Sequence, residues 1–96
     1  MAQIKTYILV RDYKMSYFDI FNDVYKDSME KMNKEYIKHQ DTWLSASISE
    51  LEYHLNHHIT KTGKILNDNK SYMDLLDIIN YCFMICYKIK NIPEGL

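Results

Sequence analysis

Glycine and proline are almost missing: two glycines and one proline serve all 96 residues. An all-β chain spends these residues on its turns, so their scarcity argues against sandwiches and barrels. A dominant charge is missing too. Twelve basic and thirteen acidic residues leave a net charge of −1, scattered along the chain. No basic stripe of the kind that grips duplex nucleic acid is present. The start of the chain lacks the uninterrupted apolar run of a secretory signal. The longest apolar stretch, Tyr72 to Ile89, carries Asp74 and Asp77 near its start, which argues against a membrane span. There is no Cys-x-x-Cys pair, Walker-type glycine loop, glycine-rich dinucleotide turn or Gly-x-Ser-x-Gly elbow. No nucleophile stands beside a paired base. The two cysteines, Cys82 and Cys86, are four apart in one helical stretch, where a continuous helix offers no disulfide geometry. They read as buried, reduced thiols, and the expected setting is the cytoplasm.

What is there is apolar residue in quantity: 47% of the chain, with nine tyrosines, enough for one small globular domain spanning 1–96. The expected fold class is all-α, with three main helices near 16–38, 47–62 and 71–90. Ser16 with Asp19 and Ser47 with Glu50 have capping-box spacing. Ser71 with Asp74 has the same form. After Ser16, Tyr17, Phe18, Phe21, Val24, Tyr25, Met29, Met32 and Tyr36 recur at steps of three and four. The opposite face carries Asn22, Asp23, Lys26, Asp27, Glu30, Lys31, Lys34 and Glu35, which a solvated face explains. Ile48, Leu51, Leu55, Ile59 and Thr62 make the stripe of the second helix, and Gly63 suits its end. In the third helix Ile79 and Phe83 are expected in the core. Residues 1–14 read as an arm whose strand-like segment, Gln3 to Asp12, pairs with a symmetry mate or packs over the helices. Residues 91–96 read as a tail. The apolar stripe of the first helix is wider than one small domain needs, so a homo-oligomer is expected.

Two carboxylates, Asp74 and Asp77, interrupt the apolar third helix about 60° apart. Taking them out of water costs several kcal/mol unless a cation or basic group meets them. On the second helix Glu50, His54, His57 and Lys61 share a strip of roughly 60°, with His58 nearer the apolar border. The plain reading is a solvated face. The sharper reading joins His54 and either His57 or His58 to Asp74 and Asp77 in a metal or phosphate site. Trp43, the single tryptophan, sits in the connector before this helix. There it plugs a core edge or offers a platform for a base.

Asp41-Thr42-Trp43, an amphipathic helix, a short turn, and Asp74-Leu-Leu-Asp-Ile-Ile-Asn-Tyr81 together resemble the small phage-associated members of the MazG-like all-α nucleotide pyrophosphohydrolases. The resemblance covers about half the chain, from Lys38 to Ile89. Members of that superfamily carry a Glu-x-x-Glu pair on one helix and a Glu-x-x-Asp pair on the next. These bind Mg²⁺, which holds a nucleotide triphosphate for attack by water. Asp74 and Asp77 match the second pair, with Asp at its first place, and Asn80 matches an Asn that often follows. The resemblance therefore implies Mg²⁺ or Mn²⁺ at Asp74 and Asp77. The first pair is replaced by His57-His58-Ile59-Thr60-Lys61. Imidazole suits transition metals better than Mg²⁺. Three function classes follow. The expectation is a binder of a nucleotide or nucleotide-derived signal with impaired turnover, acting as a ligand sink or a phage counter-defence factor. Its ligand-binding residues would be His54, His57, His58, Lys61, Asn80 and Trp43. The alternatives are a metal-dependent nucleoside triphosphate pyrophosphohydrolase and a helical protein-interaction module.

Overall fold

The computed structural model describes residues 7–10, 13–40 and 42–91. Strand β1 (Tyr7–Val10) and strand β2 (Tyr13–Ser16) form an antiparallel hairpin that pairs Tyr7 with Ser16 and Val10 with Tyr13. Helices α1 (Tyr17–His39), α2 (Ile48–Thr62) and α3 (Asn69–Asn91) follow. A single 3-10 turn, Thr42–Leu44, links the first two helices. Apart from the hairpin, the described chain is all-α. No helix among the described residues is long and apolar enough to cross a membrane.

The caps form as their spacing dictates. The Ser16 side chain accepts the Asp19 amide at 3.1 Å, and the Asp19 carboxylate accepts the Ser16 amide at 3.4 Å. Ser16 thus ends β2 and starts α1 in one residue. Ser47 and Glu50 build the same reciprocal pair at the head of α2. Gly63 closes α2 with φ 61°, a left-handed angle that glycine tolerates best. Helix α3 starts earlier than expected. The Asp68 carboxylate accepts the Ser71 amide at 2.8 Å, so Asp68 is the cap and Ser71 lies inside the first turn. The Ser71 hydroxyl turns back to accept the Leu66 amide at 2.9 Å. It fastens the α2–α3 connector instead of starting the helix.

Helices α2 and α3 make the most extensive helix pair, and α1 packs more lightly on α3. The buried stripe of α3 is Leu76, Asn80, Met84 and Lys88, spaced by four, and it meets Leu51 of α2 and Ser28 of α1. Two of its four members are polar. The Asn80 amide donates to the Ser28 carbonyl at 3.0 Å, and the Lys88 ammonium donates to the Leu44 carbonyl at 2.8 Å. That facing overturns several expectations. Cys82 and Cys86 are free but exposed, because they lie on roughly the opposite side of α3 from this stripe. Phe83 is 44% exposed rather than buried, and Ile59 is exposed. Strand β1 pairs with β2 of its own chain; residues 1–6 and 11–12 of the expected arm and 92–96 of the expected tail lie outside the described residues.

Leu76→Ala should cost about 2–5 kcal/mol, the range for a leucine lost from a packed core, whereas Ile59→Ala should stay within about 1 kcal/mol. Urea unfolding of both variants checks this. Equal losses at the two positions would put Ile59 in the core and refute the facing described for α2.

Candidate functional site

The C-terminal half of α1, the 3-10 turn and the facing sides of α2 and α3 enclose a cleft of about 510 Å³. Helix α2 sends Glu50, His54, His58 and Lys61 into it at steps of four, four and three. Helix α3 contributes Asp77, Asn80, Tyr81 and Met84, again at near-helical repeats. Helix α1 adds Met32, Glu35 and Tyr36, and the 3-10 turn adds Trp43. Trp43 is half-buried and sets its ring edge-on to Tyr87 at 5.8 Å. The turn that carries it is held by Lys88 through the Leu44 carbonyl.

Tyr81 is the centre of the aromatic wall. The His54 ring stacks on it at 6.0 Å and 22°, and the His58 ring lies at 5.1 Å and 32°. Burial, with Asp77 and Glu35 nearby, raises the Tyr81 phenol above its ordinary pKa, so it remains a neutral donor. Beneath it, Asp77 is three-quarters buried and forms an ion pair with Lys31 at 2.9 Å. Lys31 also donates to the Met73 carbonyl at 2.7 Å. The His58 Nδ1 approaches the same Asp77 oxygen at 3.8 Å. Asn80 completes the floor. It is 5% exposed, its amide nitrogen is committed to Ser28, and its Oδ1 is buried with no partner. A buried acceptor of that kind costs free energy until a donor reaches it.

The expected site residues divide accordingly. Trp43, His54, His58, Lys61, Asp77 and Asn80 come together in one cleft. His57 does not join its lining; it is exposed and meets only the edge of His58 at 6.0 Å. Asp74 leaves the group as well, paired with Lys70 at 2.8 Å, a lysine whose hydrogen bond holds the Asp74 carboxyl below its ordinary pKa. The two carboxylates therefore hold two different lysines and do not converge on one point. Among the described residues no three His, Cys, Asp or Glu side chains are grouped to hold a metal ion. As arranged, this donor set does not fit the hard oxygen cage that Mg²⁺ requires.

Lys31, Tyr81, Tyr36 and Glu35 were not among the expected site residues. A signal for Lys31 existed: the paired aspartates of a buried helix demand a basic neighbour, and the charged face of α1 supplied one. Asp27 on that face also reaches α3, accepting a hydrogen bond from the Tyr72 hydroxyl that pushes the phenol up to about 12. The face is thus partly a seam and not solvated throughout. Glu30 and Lys34 form an exposed pair at 3.5 Å. Comparison with known families, curated proteins and solved structures finds no match to this chain.

Burial lowers the His58 pKa below its ordinary 6.5; Asp77 opposes the shift, while Lys61, His57 and Lys31 reinforce it. The unfolded chain therefore takes up this proton more readily than the folded one. The stability contributed by neutral His58 is complete above the unfolded value and is lost as pH falls toward the folded value. His58→Asn should flatten the decline of Tm between about pH 7 and pH 5, followed by circular dichroism. An unchanged slope would show that His58 is not the group responsible.

Proposed function

We propose that this chain binds a nucleotide or nucleotide-derived signal in the cleft, as a MazG-like protein impaired in turnover that sequesters its ligand in the cytoplasm. The observation that carries the reading is the pairing of an aromatic wall with cationic donors. Trp43, Tyr36 and the His54–Tyr81 stack offer flat faces to a base, and Lys61 with His58 offers donors to phosphate oxygens. The cleft volume falls in the ordinary range for a small-molecule site. Carboxylates in the lining oppose an anion, but Lys31 compensates Asp77 and the cap of α2 holds Glu50. The replacement of the first acidic pair by His57-His58-Ile59-Thr60-Lys61 supports binding without efficient hydrolysis, because neither imidazole nor lysine supplies the oxygen ligands of Mg²⁺.

Calorimetry with a panel of nucleotides and cyclic oligonucleotides, with and without a chelator, tests the reading. Binding should survive the chelator and should quench Trp43 emission. Lys61→Ala should weaken it by about 1.5–3 kcal/mol, the range for a hydrogen bond to a charged group. Affinity should rise as pH falls, with the contribution of His58 displaced below its ordinary range because burial disfavours its protonation. Mg²⁺-dependent release of pyrophosphate that disappears in Asp77→Ala would replace this reading with the hydrolase. No binding and no turnover across the panel would leave a protein-interaction module.

A further inference from the structure

Helix α3 buries a lysine at a place where an apolar residue would cost less. Lys88 is 5% exposed, and its ammonium donates to the Leu44 carbonyl at 2.8 Å. A buried charge is expensive to hold, and a neutral carbonyl offsets that cost less than a carboxylate would. The bond has a particular target. In the turn of residues 42–46 the Thr42 carbonyl accepts the Ser45 amide and hydroxyl, and the Trp43 carbonyl accepts the Ala46 amide. Those bonds stay inside the turn, whereas the bond from Lys88 ties the turn to α3. One residue earlier on α3, Tyr87 meets the Trp43 ring edge-on at 5.8 Å. Neighbouring residues of one helix thus grip both the backbone and the ring of the turn. Gln40, Thr42, Trp43 and Ala46 line the cleft, and neither Tyr87 nor Lys88 does. The chain also approaches this wall through a strained residue. Gln40 has φ 54° and ψ −149°, close to a region nearly reserved for glycine. Such a conformation persists only where its surroundings hold it.

We propose that Lys88 is a positioning residue, which holds the turn of residues 42–46 as a preformed wall of the cleft with the Trp43 ring presented to the occupant. The choice of a nucleotide base as that occupant rests on the reading given above; the clamp itself does not. A wall set in advance spares the ligand the ordering of a loop. A lysine kept for the fold alone would behave differently. Buried charges can often be replaced by apolar side chains of similar size at no loss of stability, or with a gain. Removing Lys88 leaves behind an uncharged carbonyl, on a residue that is itself exposed, and no orphaned charge. Position 88 is therefore one where stability and binding should part.

Acrylamide quenching of Trp43, the single tryptophan, tests the clamp in the full chain with no ligand present. Lys88→Met should increase the quenching and shift the emission to the red, while far-ultraviolet helicity holds and Tm is equal or higher. Lys88→Arg keeps a donor and should lie nearer the parent. Tyr87→Leu, at an exposed position, should also increase the quenching. Calorimetry with those members of the nucleotide panel that the parent binds is the second arm. Lys88→Met should weaken them about tenfold, within the range for one lost base–aromatic contact, although residue 88 does not line the cleft. Unchanged quenching in Lys88→Met would overturn the proposal, and so would a more accessible Trp43 with parental affinity. A clear fall in Tm or helicity would mark a lysine kept for the fold, and would overturn it as well. A parent that binds no member of the panel, with quenching increased in both Lys88→Met and Tyr87→Leu, would remove the nucleotide reading and support the clamp.

Discussion

Helix α1 is joined to α3 by polar bonds in places where most small bundles use apolar packing, and the arrangement of the molecule depends on that seam. Lys31 reaches both Asp77 and the Met73 carbonyl, Asn80 reaches the Ser28 carbonyl, and Tyr72 reaches Asp27. Each bond is directional, so sliding α1 by one turn would break all of them together. Removing one partner would leave a desolvated charge or amide behind, which costs far more than the net worth of a formed bond. Apolar contacts alone would allow several registers. The seam permits one, and Ser28, fully buried at its middle, lets the two backbones approach closely.

That register determines what the cleft contains. Lys31 enters from the α1 side and occupies the carboxylate of Asp77, so the acid nearest the cleft floor is already compensated. His58 stands on the other side of the same carboxylate but is kept neutral mainly by burial. The remaining cation of the α2 lining is Lys61. The cleft therefore combines aromatic walls with a nearly neutral floor, and attraction for an anion is concentrated near the end of α2. This is a different electrostatic plan from a carboxylate cage that concentrates divalent cations.

Much of this could be read from the residues. Local grammar was reliable where a single short-range interaction decides the outcome. Ser16 and Ser47 cap their helices with the expected partners, and Gly63 ends α2 at a positive φ. Where two candidates obey the same grammar, the sequence was ambiguous: Asp68 and Ser71 both qualify as caps, and the connector's need for a partner at Leu66 decides between them. Facing was harder. The sequence of α3 is apolar almost all round, so periodicity could not say which side is inside. The buried side holds Asn80 and Lys88, while Phe83 and both cysteines face outward. Within the site, the sequence joined His54 and either His57 or His58 to both Asp74 and Asp77, and the structure keeps Asp77 in the cleft while Lys70 draws Asp74 away. Only the packing of Tyr81 selects His58. Lys31 was hidden among like residues on a charged face, since pairing across helices leaves no mark on the spacing within one.

Asn80 has a consequence of another kind. Its carbonyl oxygen is shut away from water and left without a donor, which is a defect when judged by folding alone. An apolar residue of similar size would remove the defect at the loss of one bond to Ser28. Selection for stability alone therefore weighs that buried oxygen against the bond to Ser28 that fixes the register of α1. A lineage in which position 80 stays amide is one in which the two helices keep this register, so the identity of that residue among descendants records whether α1 still sits on α3 as it does here.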